Sequence, residues 1–201
     1  MTKVKLLTVV LCLFQLVNCF SQNTTKLEYQ NDNLLNEIGI GLVQQVNGSE
    51  KIVLYEDPEF KSIKSKEAKL GKEIIPLLNK VDYNILFFLC VEKNIKFYKI
   101  AISNRKYAFI KPSEKYIFYN WNDFLKNQVT SVESKSKNSK SLFDKINGKQ
   151  IEFKNLQPDD EIEITDIKGD WLCIKNNTLN KKYWLKWKEK NLFLIYFNLL
   201  M

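Results

Sequence analysis

Apolar and polar positions alternate most densely between Gly169 and Phe197, GDWLCIKNNTLNKKYWLKWKEKNLFLIYF. The pattern predicts three short strands, Trp171–Lys175, Lys182–Trp187 and Asn191–Phe197, rich in aromatic and β-branched residues and parted by Gly, Asp and Asn. A weaker version runs from Ile95 to Tyr119, IKFYKIAISNRKYAFIKPSEKYIFY. Laid side by side without gaps, Phe109–Phe118 and Trp184–Phe193 share Lys, Glu, Lys and Phe, and exchange Phe for Trp and Ile for Leu. Such internal similarity predicts two related small β-units.

Elsewhere the signals are more local. Gln22–Asn36 is polar and Asn-rich and reads as a flexible lead-in. Glu37–Val46 predicts a first strand, interrupted by Gly39 and Gly41, and Lys51–Glu56 a second that ends at Asp57-Pro58. Phe60–Leu70 has no clean period and reads as a surface loop, while Pro76 makes Glu73–Leu78 an edge strand. Tyr83–Val91, YNILFFLCV, has the length and composition of a fully buried strand. Asn120–Asn127 changes period: Trp121, Phe124 and Leu125 share one helical face, with Asn120 as N-cap. Val129–Ser134 opens the second unit, followed by a basic loop over Lys135–Lys140 and a short strand with an Asn147-Gly148 turn in Ser141–Lys149. Pro158-Asp159-Asp160 turns the chain into an alternating strand, Glu161–Ile167, and Lys168-Gly169-Asp170 makes a hairpin into Trp171. The expectation is an all-β chain of two small barrels, 37–119 and 128–201, joined by a helical linker over 120–127.

The first 21 residues stand apart. Lys3 and Lys5 precede the apolar run Leu6–Val17, and Cys19-Phe20-Ser21 offers small residues before Gln22. This reads as a secretory signal peptide, the run being short for a membrane span. Two other readings are a lipid anchor on Cys19, after Leu16-Val17-Asn18, and a buried N-terminal helix. Cleavage removes two lysines and no acids, lowering the net charge from +8 to +6. No transmembrane helix is expected in the mature chain. Cys90 and Cys173 then remain, both inside apolar strands, which predicts buried free thiols behaving as small hydrophobes.

The order strand, Gly-Asp-Trp, strand, Tyr-Trp-Leu-Lys resembles bacterial SH3-like (SH3b) domains. The whole arrangement is similar to a group of secreted Bacteroidetes proteins. Their hallmarks include a Trp-x-x-Phe/Tyr-Leu linker, matched by Trp121–Leu125, and a Trp-Ile-Lys-Trp-like segment, matched by Trp184–Trp187. The resemblance covers about residues 50–198 and is densest over 160–198. It implies two SH3-like barrels in an exported protein, and export suits the signal-peptide reading. Where the family carries the Gly of a Gly-Trp pair, this chain has Tyr183 and Ala108, so the family's ligand groove does not carry over.

Catalytic chemistry has few supports. There is no histidine, which removes the commonest general base and leaves no Cys–His or Ser–His–Asp arrangement. Two separated cysteines do not make a zinc site, the six glycines form no phosphate loop, and Asp159-Asp160-Glu161 lacks the spacing of a Ca²⁺ loop. Lysines interleave with acids throughout, so the positive balance gives diffuse attraction to anionic surfaces and no nucleic-acid site. The expected catalytic, metal and cofactor inventory is therefore empty.

The aromatics carry more. Alternation puts Ala108 and Ile110 on one face and Phe109 and Lys111 on the other, then Tyr183 and Leu185 against Trp184 and Lys186. Phe109, Lys111, Trp184 and Lys186 are the candidate ligand contacts. The competing reading buries Phe109 and Trp184 under a loop or between the units, and Trp171 reads as core. The function expected is an exported, non-catalytic interaction module facing a cell-envelope component or a protein partner. A purely structural envelope role comes second and a hydrolase third.

Overall fold

The computed structural model describes residues 24–46, 51–135, 142–151 and 162–199. The signal-peptide reading of 1–21, the Cys19 anchor, most of the basic loop and the Asp159-Asp160-Glu161 turn lie outside the described residues. Within them the chain is all-β with one α-helix, and no helix is long and apolar enough to cross a membrane.

The first half holds Gly41–Gln45 (β1), Leu54–Tyr55 (β2), Ile63–Ser65 (β3), Leu78–Lys80 (β4), Ile85–Lys93 (β5), Tyr98–Ser103 (β6), Lys106–Ile110 (β7) and Tyr116–Asn120 (β8). They form one sheet in the order β3-β2-β7-β6-β5-β1-β8, with β4 also on β5. After the helix Trp121–Asn127 (α1) come Val129–Ser134 (β9), Leu142–Phe143 (β10), Gln150–Ile151 (β11), Ile162–Lys168 (β12), Trp171–Asn176 (β13) and Lys181–Lys186 (β14). Lys188–Glu189 (β15), Leu192–Phe193 (β16) and Ile195–Leu199 (β17) complete the chain. The second sheet runs β11-β10-β14-β13-β12, beside two ribbons, β15-β16 and β17-β9. The first sheet shifts register in β2–β3, β5–β6 and β6–β7, and the second in β12–β13. Between Cys90 and Glu92 the extra residue is Val91, and between Ile164 and Asp166 it is Thr165.

The apolar run of β5 is explained by its two faces. Leu86, Phe88 and Cys90 enter a cluster enclosed by the first sheet, with Val43, Leu54, Ile100 and Ala108. Ile85, Phe87 and Leu89 point the other way, into a second cluster with Phe124, Leu172, Trp187, Phe193 and Phe197. Buried on both sides, the strand has no polar face to show. The glycines of the first strand follow from crowding. Gly39 has φ +63°, and a Cβ there would lie 2.3 Å from the Cys90 carbonyl oxygen; one on Gly41 would lie 2.2 Å from that of Tyr119.

Helix α1 begins where Asn120 caps it: its side-chain oxygen accepts from the Asp123 N–H at 2.9 Å. Its Phe124 and Leu125 are fully buried. Trp121 meets Trp187 and Phe193, each with ring centroids 5.3 Å away, and donates its indole N–H to the Gly39 carbonyl at 3.2 Å. The helix thus seats its apolar face between both sheets.

Four local expectations are corrected. Gln22–Asn36 is no loose lead-in: from Leu27 onward it packs on the core, with Asn31 and Leu35 each only 1% exposed and Gln30 4%. Its amides serve as backbone partners. Asn31 donates to the carbonyls of Glu28 and Pro76, and Gln30 donates to Ile195 O at 3.1 Å and accepts from Phe197 N at 3.0 Å. Phe60–Leu70 contains β3 and a buried Ala68. Asn191–Phe197 splits into β16 and β17 at Leu194, whose N–H donates to the Trp187 carbonyl at 2.9 Å. Trp171 is half-buried, and the core tryptophan is Trp187 at 1% exposure.

Cys90 and Cys173 are buried free thiols. Burial pushes the Cys90 thiol up to about 12, against a hydrogen bond to the Glu92 carbonyl and the nearby Lys93 charge. An aromatic disulfide reagent should therefore leave Cys90 and Cys173 unlabelled in the native protein and titrate both after denaturation without reductant. Loss of that second titration would mean a disulfide.

Candidate binding face

Alternation in β7 and β14 sets the geometry. Ala108 and Ile110 turn inward and are fully covered, while Phe109 is half-buried on the opposite face and Lys111, just past the strand, is exposed. In β14, Tyr183 is buried and Leu185 packs on the same cluster, with Trp184 and Lys186 half-buried on the other side. The positions where the resembling domains have Gly are thus core positions here, filled by Ala108 and Tyr183.

Phe109 stands directly opposite Tyr55 of β2 on one side and Lys99 of β6 on the other. Glu92 of β5 ends the row. Trp184 stands opposite Phe143 of β10 and Cys173 of β13, and Asp166 of β12 ends that row. The first row carries an acid, a lysine and an aromatic; the second carries an acid and an aromatic, and Lys168 reaches both from the Trp171 row. The Lys99 ammonium is 3.6 Å from Glu92 and 6.0 Å from the Phe109 ring centre. The Lys168 ammonium is 3.7 Å from Asp166 and 5.5 Å from the Trp184 ring centre. A cation over a ring at such partly exposed places contributes about 0.5–1 kcal/mol.

The surroundings differ between the rows. Phe109 meets Phe97 edge-on at 5.2 Å, and Lys99 also lies 5.3 Å from the Tyr107 ring. The Tyr107 hydroxyl donates to Glu37 at 3.4 Å. Burial pushes the Glu37 carboxyl above its usual range, opposed by that hydrogen bond and by the Lys99 charge. On the second sheet, Phe143 meets Trp171 edge-on at 5.1 Å, and Trp171 pairs directly with Lys168 and Lys186. Lys186 is held by Glu189 at 2.6 Å, and this pairing keeps the Glu189 carboxyl below its usual range.

The structure therefore keeps Phe109 with Lys111 on one sheet and Trp184 with Lys186 on the other. The lysines nearest the rings are Lys99, from the neighbouring strand β6, and Lys168, from β12, two strands away from β14. Tyr55, Phe143, Lys99 and Lys168 are the face residues that the pattern alone does not single out. A signal for two of them lies in Leu54-Tyr55-Glu56-Asp57 and Leu142-Phe143-Asp144-Lys145, which place an aromatic after Leu and before an acid in both short strands. Neither Phe109 nor Trp184 belongs to the two buried clusters.

A groove of about 430 Å³ lies elsewhere, between Leu27–Tyr29, Asn79–Lys80 and Asn198–Leu199, and contains none of the four predicted contacts. Compared with protein-family models, curated proteins and solved structures, the chain matches none.

Proposed function

We propose that this chain is an exported, non-catalytic binding module of two SH3-like units, each presenting one aromatic face to a cell-envelope component. The observation that carries the reading is the recurrence of an acid, a lysine and a half-exposed aromatic, Glu92–Lys99–Phe109 and Asp166–Lys168–Trp184, with acid and aromatic on corresponding strands and the lysine supplied by β6 in one sheet and β12 in the other. The two-unit reading is supported by the matching strand orders β3-β2-β7-β6-β5 and β11-β10-β14-β13-β12 and by single-residue bulges at Val91 and Thr165. An aromatic face beside a lysine suits stacking on a sugar ring or peptide bond, with a charge-assisted contact to a carboxylate. Envelope glycopeptides offer both groups.

The structural alternative places these aromatics in the contact between units. The rings that link the two halves are instead Phe87, Phe124, Trp121 and Trp187. The test is a tryptophan-fluorescence titration with soluble glycan–peptide fragments of the cell wall, alongside thermal melting. Phe109→Ala and Trp184→Ala should each weaken binding by about 0.5–1.5 kcal/mol beyond area burial, with the melting temperature nearly unchanged. A loss of roughly 3–5 kcal/mol of stability in Trp184→Ala would return that residue to a structural role.

A further inference from the structure

The turn between β5 and β6 carries the most exposed large apolar side chain of the described residues, Ile95 at 93%; Leu192 follows at 59% and Tyr83 at 51%. A single exposed apolar residue is ordinary on a protein surface. This one is held in place. The Asn94 side-chain oxygen accepts from the Lys96 N–H at 2.7 Å and the Phe97 N–H at 3.0 Å. The Asn94 N–H in turn donates to the Phe97 carbonyl at 3.0 Å. The turn is closed on three hydrogen bonds, so Ile95 cannot fold back on the sheet without breaking them.

Its setting is basic. Lys93 and Lys96 flank it and are exposed. The register that pairs Lys93 with Tyr98, and Tyr98 with Ile110, brings exposed Lys111 alongside the same tip. Lys93 is steadied by the Phe118 ring, 4.1 Å from its ammonium to the centroid. Glu92, the nearest acid along the strand, is already engaged by Lys99. A rigid, convex apolar tip ringed by cations matches a surface that is negative outside and apolar a few ångströms beneath. That describes an anionic lipid bilayer, where the apolar part enters the headgroup boundary while the lysines meet the phosphates.

We propose that the Asn94–Phe97 turn docks the protein on anionic membrane, with Ile95 inserted and Lys93, Lys96 and Lys111 on the headgroups. This contact shares only Lys111 with the candidate ligand contacts, and through Ile95, Lys93 and Lys96 it stands or falls separately from them. The test is co-sedimentation of the mature protein with vesicles of equal parts phosphatidylglycerol and phosphatidylcholine, against phosphatidylcholine alone. Binding is expected only to the anionic vesicles, weakening as salt rises. Ile95→Ser should lower it by roughly ten-fold or more, and Lys96→Glu should lower it further in low salt, both without a shift in melting temperature. Asn94→Ala, which frees the turn while keeping Ile95, should lower it less. Trp184→Ala should leave it unchanged. Equal sedimentation with both kinds of vesicle, or full binding by Ile95→Ser, overturns the proposal. Absence of vesicle binding by the unaltered protein also overturns it and leaves the tip to a protein partner.

Discussion

Trp187→Ala is expected to cost roughly 3–5 kcal/mol and to melt both sheets in a single transition. Its indole is 1% exposed and meets Trp121 at 5.3 Å and Phe193 at 6.0 Å. Its N–H donates to the Gly169 carbonyl at 3.1 Å, and its backbone bonds both Asp170 and Leu194. Through Trp121 and Phe124 the same cluster reaches Phe87 of β5. Replacing the indole leaves a cavity under the helix that the rigid ring neighbours cannot fill, so the loss should lie near the upper end of core truncations. Urea unfolding followed by circular dichroism and by the remaining tryptophans checks this. Two separate transitions, with only the later one shifted, would show that the halves are energetically independent. Trp187→Phe should recover a substantial part of the loss.

Gln30→Leu is the second large effect. The Gln30 amide occupies the outward edge of β17, taking the Ile195 carbonyl and the Phe197 N–H as a neighbouring strand would. It also donates to Asp32 at 3.0 Å, and Asp32 pairs with Lys135. Leucine fills similar volume but leaves two buried backbone groups without partners, each worth about 1–3 kcal/mol. The expected readouts are a lower melting temperature and faster hydrogen exchange at the Phe197 amide. If that amide keeps its protection while the protein stays folded, the side chain is not its partner. Gln30→Glu keeps the acceptor for Phe197 but loses the donor for Ile195 and adds charge near Asp32, so it should not restore stability.

The sheets were legible because alternation in β7, β13 and β14 states directly which residues share a face. The helix was legible because Trp121, Phe124 and Leu125 recur at the right interval after a capping Asn. Alternation does not say what covers a face, and so Trp171 and Trp187 could not be ranked. Both sit in aromatic-rich strand sequence, but only Trp187 lies under α1. The segment from Thr24 to Asn36 failed for a related reason. Its polar residues read as solvent-loving, yet Gln30 and Asn31 spend their amides on backbone groups far along the chain. The candidate face shares this limit, since Lys99 and Lys168 reach the rings from other strands and neither register is written in local sequence.

The Gln30–Phe197 hydrogen bond joins residues 167 positions apart. A contact of that separation is among the last to close, because the loop it spans must first be ordered. Until it closes, the outer edge of β17 is a row of unmet donors and acceptors carrying buried-type residues such as Ile195, Phe197 and Leu199. Such an edge recruits strands from other chains. Removing the residues before Ile38 should therefore reveal itself first as concentration-dependent aggregation during refolding, with loss of secondary structure following later. In the intact chain, Gln30 acts as a built-in guard against self-association.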